Sequence, residues 1–265
     1  MSRKERRLEK KLGVKLPHAP RQPPAAAPAA AAATAPLALL QQQAMAHYRA
    51  GRLAAALEVC RGVIAGGGAG PDMLGFAGMI AVELGALAEG IALYRQALAA
   101  RPGAAELHYN LANALDKAGK LPAAAAAYRA ALALRPDLVP ALHNLASALQ
   151  RLGETEEAVA WYRRALAERA TAESERSLGT ALQHLGRTAE AAAAFRRAIA
   201  LRPDWPLAHN NLVYVLFERG EMAAALAACD DWLAASPGNI EATGLKAMAL
   251  NEEGEVVQAR AIYDF

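Results

Sequence analysis

Residues 105–138 read AELHYNLANALDKAGKLPAAAAAYRAALALRPDL. Leu111, Ala112 and Leu115 are spaced by one, three and four residues, which puts their side chains on one face of a helix. Gly119 follows, where a left-handed residue can close that helix. Ala124 and Tyr128, four residues apart, then share one face of a second helix. Pro136 ends the stretch, since proline cannot continue a helix interior but can start the next helix. The segment reads as a helix–turn–helix in which small side chains meet large ones.

Outward from this segment the pattern repeats. Glycine recurs at Gly51, Gly85, Gly119, Gly153, Gly186, Gly220 and Gly254, with spacings of 34, 34, 34, 33, 34 and 34. Five residues after each stands Ala56, Gly90, Ala124, Ala158, Ala191, Ala225 or Ala259. Nine residues after each stands Cys60, Tyr94, Tyr128, Tyr162, Phe195, Cys229 or Tyr263. Proline recurs at Pro102, Pro136, Pro203 and Pro237. Leu145, Ala146 and Leu149, then Leu178, Gly179 and Leu182, then Leu212, Val213 and Leu216 repeat the first-helix face.

On these residues the chain resembles the tetratricopeptide repeat (TPR) family, whose 34-residue helical pairs stack into a right-handed superhelix. The resemblance implies an all-α solenoid over 37–265, with units at 37–70, 71–104, 105–138, 139–171, 172–205, 206–239 and a partial unit at 240–265. Two departures are expected to alter packing locally. The first unit ends in Gly66–Gly67–Gly68–Ala69–Gly70 instead of a proline, and the fourth is one residue short, with Ala170 near the proline position. The last unit stops inside its second helix. Stacked units normally need a polar cap, so that end is expected to be exposed and to self-associate weakly.

Composition fits helices that approach closely. Alanine, the best helix former, accounts for 70 of the 265 residues, while aromatics are 5%. No run of 18 apolar residues exists, which excludes a membrane-spanning helix. Two cysteines cannot form a disulfide framework, so a reducing, cytoplasmic setting is expected. The net charge of +3 is uneven: residues 1–21 hold eight Lys/Arg against two Glu, and the other 244 hold 21 against 24. The basic character therefore belongs to the start of the chain. Residues 1–36 read as a basic, Pro/Ala-rich disordered tail and linker. The acidic balance of the body argues against nucleic-acid binding as its role.

Side chains suited to chemistry have plainer explanations. Cys60 and Cys229 occupy the ring register and read as buried small hydrophobes. His108 and His209 share one register, and no histidine forms a metal-ligand spacing. The glycine run at 66–70 lacks the GK[ST] of a phosphate loop. Arginines make two ladders, Arg95/Arg129/Arg163/Arg196 and Arg101/Arg135/Arg169/Arg202, the second closing each second helix against its dipole. No catalytic residue, cofactor or metal is expected.

The informative polar signal lies on the first helices. Asn110, Asn144 and Asn211 share a register, with Ser177 in the remaining unit. Asparagine is a poor helix-interior residue, so its reuse needs a reason. A side-chain amide donates and accepts, and can pair with an extended peptide backbone. This resembles the TPR region of O-linked N-acetylglucosamine transferases and their bacterial relatives, where an asparagine ladder holds peptide backbones. Tyr109, Asn113, His143, Arg176, Asn210 and Tyr214 flank the ladder. Together they would line a polar groove with aromatic contacts, fit for an extended segment. The pattern of TPR domains that clamp a C-terminal carboxylate fails. Asn113 and Asn144 match, but Tyr109, Pro140 and Glu173 do not. The expected role is a non-catalytic scaffold for protein or peptide segments. The alternative is the substrate-recruiting region of a larger glycosyltransferase or 2-oxoglutarate/iron oxygenase.

Overall fold

Each 34-residue period folds as two helices joined by a glycine turn. In the computed structural model, which describes residues 37–263, these are α1 (Leu37–Arg49), α2 (Leu53–Ala65), α3 (Pro71–Glu83), α4 (Leu87–Ala100), α5 (Ala105–Lys117), α6 (Leu121–Leu134), α7 (Val139–Arg151), α8 (Thr155–Glu168), α9 (Ala172–His184), α10 (Thr188–Leu201), α11 (Pro206–Glu218), α12 (Met222–Ala235), α13 (Ile240–Glu252) and α14 (Val256–Tyr263). The expected basic tail and linker lie outside the described residues. No strand occurs among the described residues. Each helix packs on its neighbours in sequence and little else, which is the signature of a solenoid.

The turn inside each pair follows from its glycine. Gly119 has φ +72°, a left-handed conformation that a Cβ would strain. Its N–H donates to the Asp116 carbonyl at 2.9 Å, and the Lys120 N–H reaches back to the Leu115 carbonyl at 2.9 Å. These two bonds satisfy carbonyls that the helix end leaves open. The equivalent long bond recurs in all seven pairs, from Arg52 to His47 through to Glu255 to Leu250.

Turns between pairs use a different device. The repeating prolines follow the end of each second helix, as their exclusion from a helix interior requires, and they bend the turn without opening the next helix. They sit second in a four-residue turn closed by an N–H donated back to its first carbonyl: Ala104 to Arg101, Leu138 to Arg135, Trp205 to Arg202 and Asn239 to Ser236. Proline's fixed φ suits that second position. His108 Nε2 donates to the Pro102 carbonyl at 2.9 Å, and His209 Nε2 donates to that of Pro203 at 2.7 Å. The register shared by these two histidines therefore latches the turn to the following helix. In the short fourth unit the missing residue comes out of the turn, while α8 keeps the 14 residues of its counterparts. Thr171 then caps α9, its Oγ1 accepting from the Ser174 N–H at 3.2 Å.

In four of the pairs a small residue faces a ring, while in the first Ala44 and Cys60 hold the two registers. A Cβ added to Gly179 would lie 2.5 Å from Phe195, and one added to Gly78 would lie 3.1 Å from Tyr94. Ala112 with Tyr128 and Ala146 with Tyr162 hold the same two registers and are buried. In the sixth pair the sizes trade sides, with Val213 and Cys229. Trp232 supplies the missing ring one turn later, where other pairs have Ala97, Ala131, Ala165 or Ala198, and it stacks on His209 at 5.4 Å. Cys60 and Cys229 are buried free thiols, and burial pushes both up to about 11. The buried apolar residues form two clusters that meet at Met79 and Leu107.

Three of the four arginines of the second ladder are ion-paired; in the first, which Arg61 extends at the same register, Arg95 and Arg196 form no ion pair among the described residues. Arg61, Arg129 and Arg163 reach Glu89, Glu157 and Glu190 of the next second helix at 2.7–2.8 Å. Arg101, Arg135 and Arg202 reach back to Asp72, Glu106 and Glu173 of their own pair's first helix. These pairs lie at the surface and add little energy, but their constant offset keeps each helix in register with its neighbour.

Truncating Leu145 or Tyr128 to Ala should lower unfolding free energy by roughly 2–5 kcal/mol, because both side chains are fully buried. Leu207→Ala, at an exposed position, should stay within about 0.5 kcal/mol. Urea denaturation checks this, and unchanged midpoints for Leu145→Ala and Tyr128→Ala would contradict the helix faces.

Candidate functional site

The first helices of the pairs form a layer of their own. Successive members of this layer touch (α3 with α5, α7 with α9, α9 with α11, α11 with α13), whereas successive second helices are farther apart and meet through long arginine and glutamate arms. The stack therefore curves with the first helices inside. On each inner helix the leucine and alanine face is buried against its partner, and the opposite face carries the polar candidates.

Three of those candidates meet between α5 and α7. Asn144 Nδ2 donates to Asn113 Oδ1 at 3.0 Å and approaches the Tyr109 hydroxyl at 3.4 Å. The Tyr128 hydroxyl donates to the same Asn113 oxygen at 2.6 Å. With both its lone pairs engaged, Asn113 Oδ1 fixes the orientation of its amide. The Asn113 Nδ2 and Asn144 Oδ1 atoms hold no side-chain bond among the described residues. One donor and one acceptor are thus held in place at this point of the inner face. Tyr109 leans on Tyr128 with ring centroids 6.1 Å apart.

Between α7 and α9, His143 shares a 2.9 Å hydrogen bond with Ser174 Oγ and sets its ring edge-on to Tyr162 at 5.4 Å. Burial, with the nearby Arg176 charge second, holds the imidazole below the usual histidine range. Ser177 is buried. Between α9 and α11, the Arg176 guanidinium lies over the Trp205 ring at 5.3 Å. Between α11 and α13, Asn210 Nδ2 donates to Glu241 Oε1. Tyr214 is exposed, with Phe217 edge-on beside it at 6.4 Å. Asn110 and Asn211 are half-buried, and neither forms a side-chain hydrogen bond among the described residues.

The inner helices hold a second row that sequence reading did not single out. Near their C-terminal ends, Tyr48 donates to Glu83 at 3.1 Å, Arg151 pairs with Asp116, Gln150 meets His184 at 3.4 Å, and Gln183 donates to Glu218 at 2.6 Å. Each joins the residue three before one repeat glycine to the residue two before the next. The available signal was that paired register, which alternates polar partners down the chain.

Protonation at His143 gives a testable pH dependence. The folded state resists charging this imidazole, while the unfolded chain charges it near its ordinary value of 6.5. Its contribution to stability is therefore complete above that value and is lost as pH falls toward the lower folded value. Between about pH 7.5 and about pH 5.5 the wild type should lose more urea resistance than His143→Gln. Equal losses would remove His143 as the cause.

Sequence profiles of the tetratricopeptide repeat match residues 76–139 and 176–240, and a second such profile matches 137–204. No curated protein sequence matches the chain. Among solved structures, a tetratricopeptide repeat protein from Parabacteroides merdae has a TM-score of 0.64 at 18% identity, covering 86% of this chain and 90% of its own. YrrB, described as a TPR protein with an unusual peptide-binding site, has a TM-score of 0.56 at 22% identity, covering 64% of this chain and 89% of its own. MamA has a TM-score of 0.55 at 23% identity, covering 60% and 88%. At these identities the likeness is one of fold. No helix among the described residues is long and apolar enough to cross a membrane. The profile matches run without a gap from 76 to 240, over half of the chain, and it belongs to the tetratricopeptide repeat family.

Proposed function

We propose that this chain is a non-catalytic scaffold that holds an extended protein segment along the inner face of its first helices. The observation that carries this reading is the Asn113–Asn144 amide pair. Tyr128 and Tyr109 hold it, and one amide hydrogen donor and one carbonyl acceptor are left unused. A peptide backbone offers the complementary acceptor and donor in every residue. Asn110, one turn before Asn113 on α5, and Asn211, two inner helices beyond Asn144 on α11, add two amides with no side-chain partner among the described residues. An amide already fixed by packing loses little freedom on binding, so more of the hydrogen-bond energy remains as affinity. Tyr109 and Tyr214 offer flat apolar surface beside the amides, which suits side chains of a bound segment.

YrrB, of the same fold, is described as carrying a peptide-binding site, and this supports the assignment to protein segments. The charge of the body supports it as well. Outside residues 1–21 acidic side chains outnumber basic ones by 24 to 21, which disfavours a polyphosphate ligand.

A selection of displayed random 16-residue peptides on the immobilised protein tests the reading. Peptides retained by the wild type should lose at least about tenfold in affinity for an Asn110→Ala, Asn144→Ala, Asn211→Ala variant of matched melting temperature. Equal retention by both proteins would remove the amides from the binding surface.

A further inference from the structure

We propose that the inner face carries a carboxylate-reading position at Arg176, and that the bound segment presents an acidic group there, about three residues from an apolar side chain. This rests on the peptide-scaffold reading and names what the segment must contain.

Arg61, Arg101, Arg129, Arg135, Arg151, Arg163, Arg187, Arg197, Arg202 and Arg219 each hold a carboxylate among the described residues. Arg49, Arg52, Arg95, Arg164, Arg169, Arg176, Arg196 and Arg260 hold none among them; the other seven are exposed, and Arg176 is half-buried on the inner face. Its Nε is buried without a hydrogen-bond partner. Arg135 Nε is also buried without a partner, but that guanidinium holds Glu106, whereas Arg176 carries the same costly unpaired donor with no carboxylate at all among the described residues.

The surroundings hold the guanidinium still and leave its charge uncancelled. It stacks over Trp205 at 5.3 Å. Arg202 lies over the same ring at 4.7 Å, so two cations share one aromatic. The acid nearest in sequence on this helix face, Glu173, is taken by Arg202. Asn210, in the next inner helix at the register of Arg176, is tied to Glu241. His143, in the previous one, is bonded to Ser174, and burial keeps its imidazole below the usual histidine range. One positive charge is left, on a planar fork with fixed orientation, and a carboxylate is the group that matches such a fork with two parallel hydrogen bonds.

The neighbouring helix supplies the second half of the recognition. On α11, Leu207 and Tyr214 are exposed and lie seven residues apart, on one face of the helix. Exposed Met248 continues that register on α13. Packed helices stand about 8–10 Å apart, and an extended chain advances about 3.3 Å per residue. A segment with its acidic group at Arg176 therefore reaches the Leu207–Tyr214 surface about three residues away.

The test uses the full chain, immobilised, and four pools of acetylated random nonamers. Three pools are amidated at the C-terminus and fix the central residue as Glu, Gln or Lys. The fourth fixes Gln and leaves the C-terminal carboxylate free. Retained peptides are quantified by mass spectrometry. The Glu pool should be retained about tenfold over the Gln pool, with Leu, Met or an aromatic enriched about three positions from the Glu. Preference for the free-carboxylate pool alone would assign the position to a chain terminus while keeping the carboxylate. Arg176→Gln should abolish the preference, and Arg176→Lys should weaken it. Arg151→Gln, which removes a cation already paired with Asp116, should leave it intact. Melting temperatures establish that each variant is folded. Equal retention of all pools by the wild type, or a preference untouched in both Arg176 variants, overturns the carboxylate position alone. No retention of any pool overturns the peptide-scaffold reading with it.

Discussion

The distance between the two helices of a pair is the constraint on which everything else rests, and it is set by a small side chain under a ring. Gly179 beneath Phe195 and Gly78 beneath Tyr94 leave no room for a methyl group of ordinary contact distance. That closeness fixes the angle at which the next pair is fed. Because the offset is repeated, inner helices come into mutual contact while outer ones stand farther apart, and a curved inner face results. Where the ring is lost, as at Cys229, compensation is local: Val213 enlarges one side and Trp232 fills the adjoining turn. In that pair the shape of the interior changes while its volume is kept.

Most of this was legible in sequence because the turn glycine, the small residue and the ring are tied to one another at fixed short distances. Helix faces, the glycine turns and the burial of both cysteines follow from such local rules. The prolines leave two courses open for a physical reason. Their exclusion from a helix interior is certain, but whether they open the next helix or bend the turn depends on the carbonyl behind them, and the Arg135–Leu138 turn takes the second course. The shared register of His108 and His209 read as inheritance, since its partner is a backbone carbonyl that no side-chain pattern encodes. Contacts between units were the least legible. Asn144 with Asn113, His143 with Ser174 and Asp116 with Arg151 join different repeats, so each depends on stacking geometry and on the residue that the neighbouring repeat supplies. Four inner-helix polar residues that look equivalent in sequence (Asn110, Asn144, Ser177 and Asn211) therefore meet different surroundings.

Charge is divided between the two layers in a way that single-residue reading misses. On the outer helices Arg61, Arg129 and Arg163 meet an acid of the next outer helix, while Arg95 and Arg196 at the same register form no ion pair among the described residues. The inner layer has polar partners drawn from successive repeats, and the pairing fails where one repeat supplies the wrong residue. Pro140 stands where Asp72, Glu106 and Glu173 stand in other units, and Arg169 forms no ion pair among the described residues. Arg176 is left over in the same sense, but on the inner face and with an aromatic beneath it.

A solenoid separates what stabilises from what recognises. The buried registers of the first helices, Leu111, Leu145, Leu178 and Leu212, are nearly uniform because each must fit the same gap. One residue earlier in each unit, Asn110, Asn144, Ser177 and Asn211 begin to differ, and one residue before those, Tyr109, His143, Arg176 and Asn210 share no chemistry. Variation therefore rises over two positions, from the packed face to the open one. A fold whose stability comes from neighbour-to-neighbour burial can place a different group on each inner helix at little cost, spaced by one helix width. An extended segment is the ligand whose own repeat can be read at that spacing, because it presents backbone amides at every residue and a side chain of chosen chemistry about every three residues.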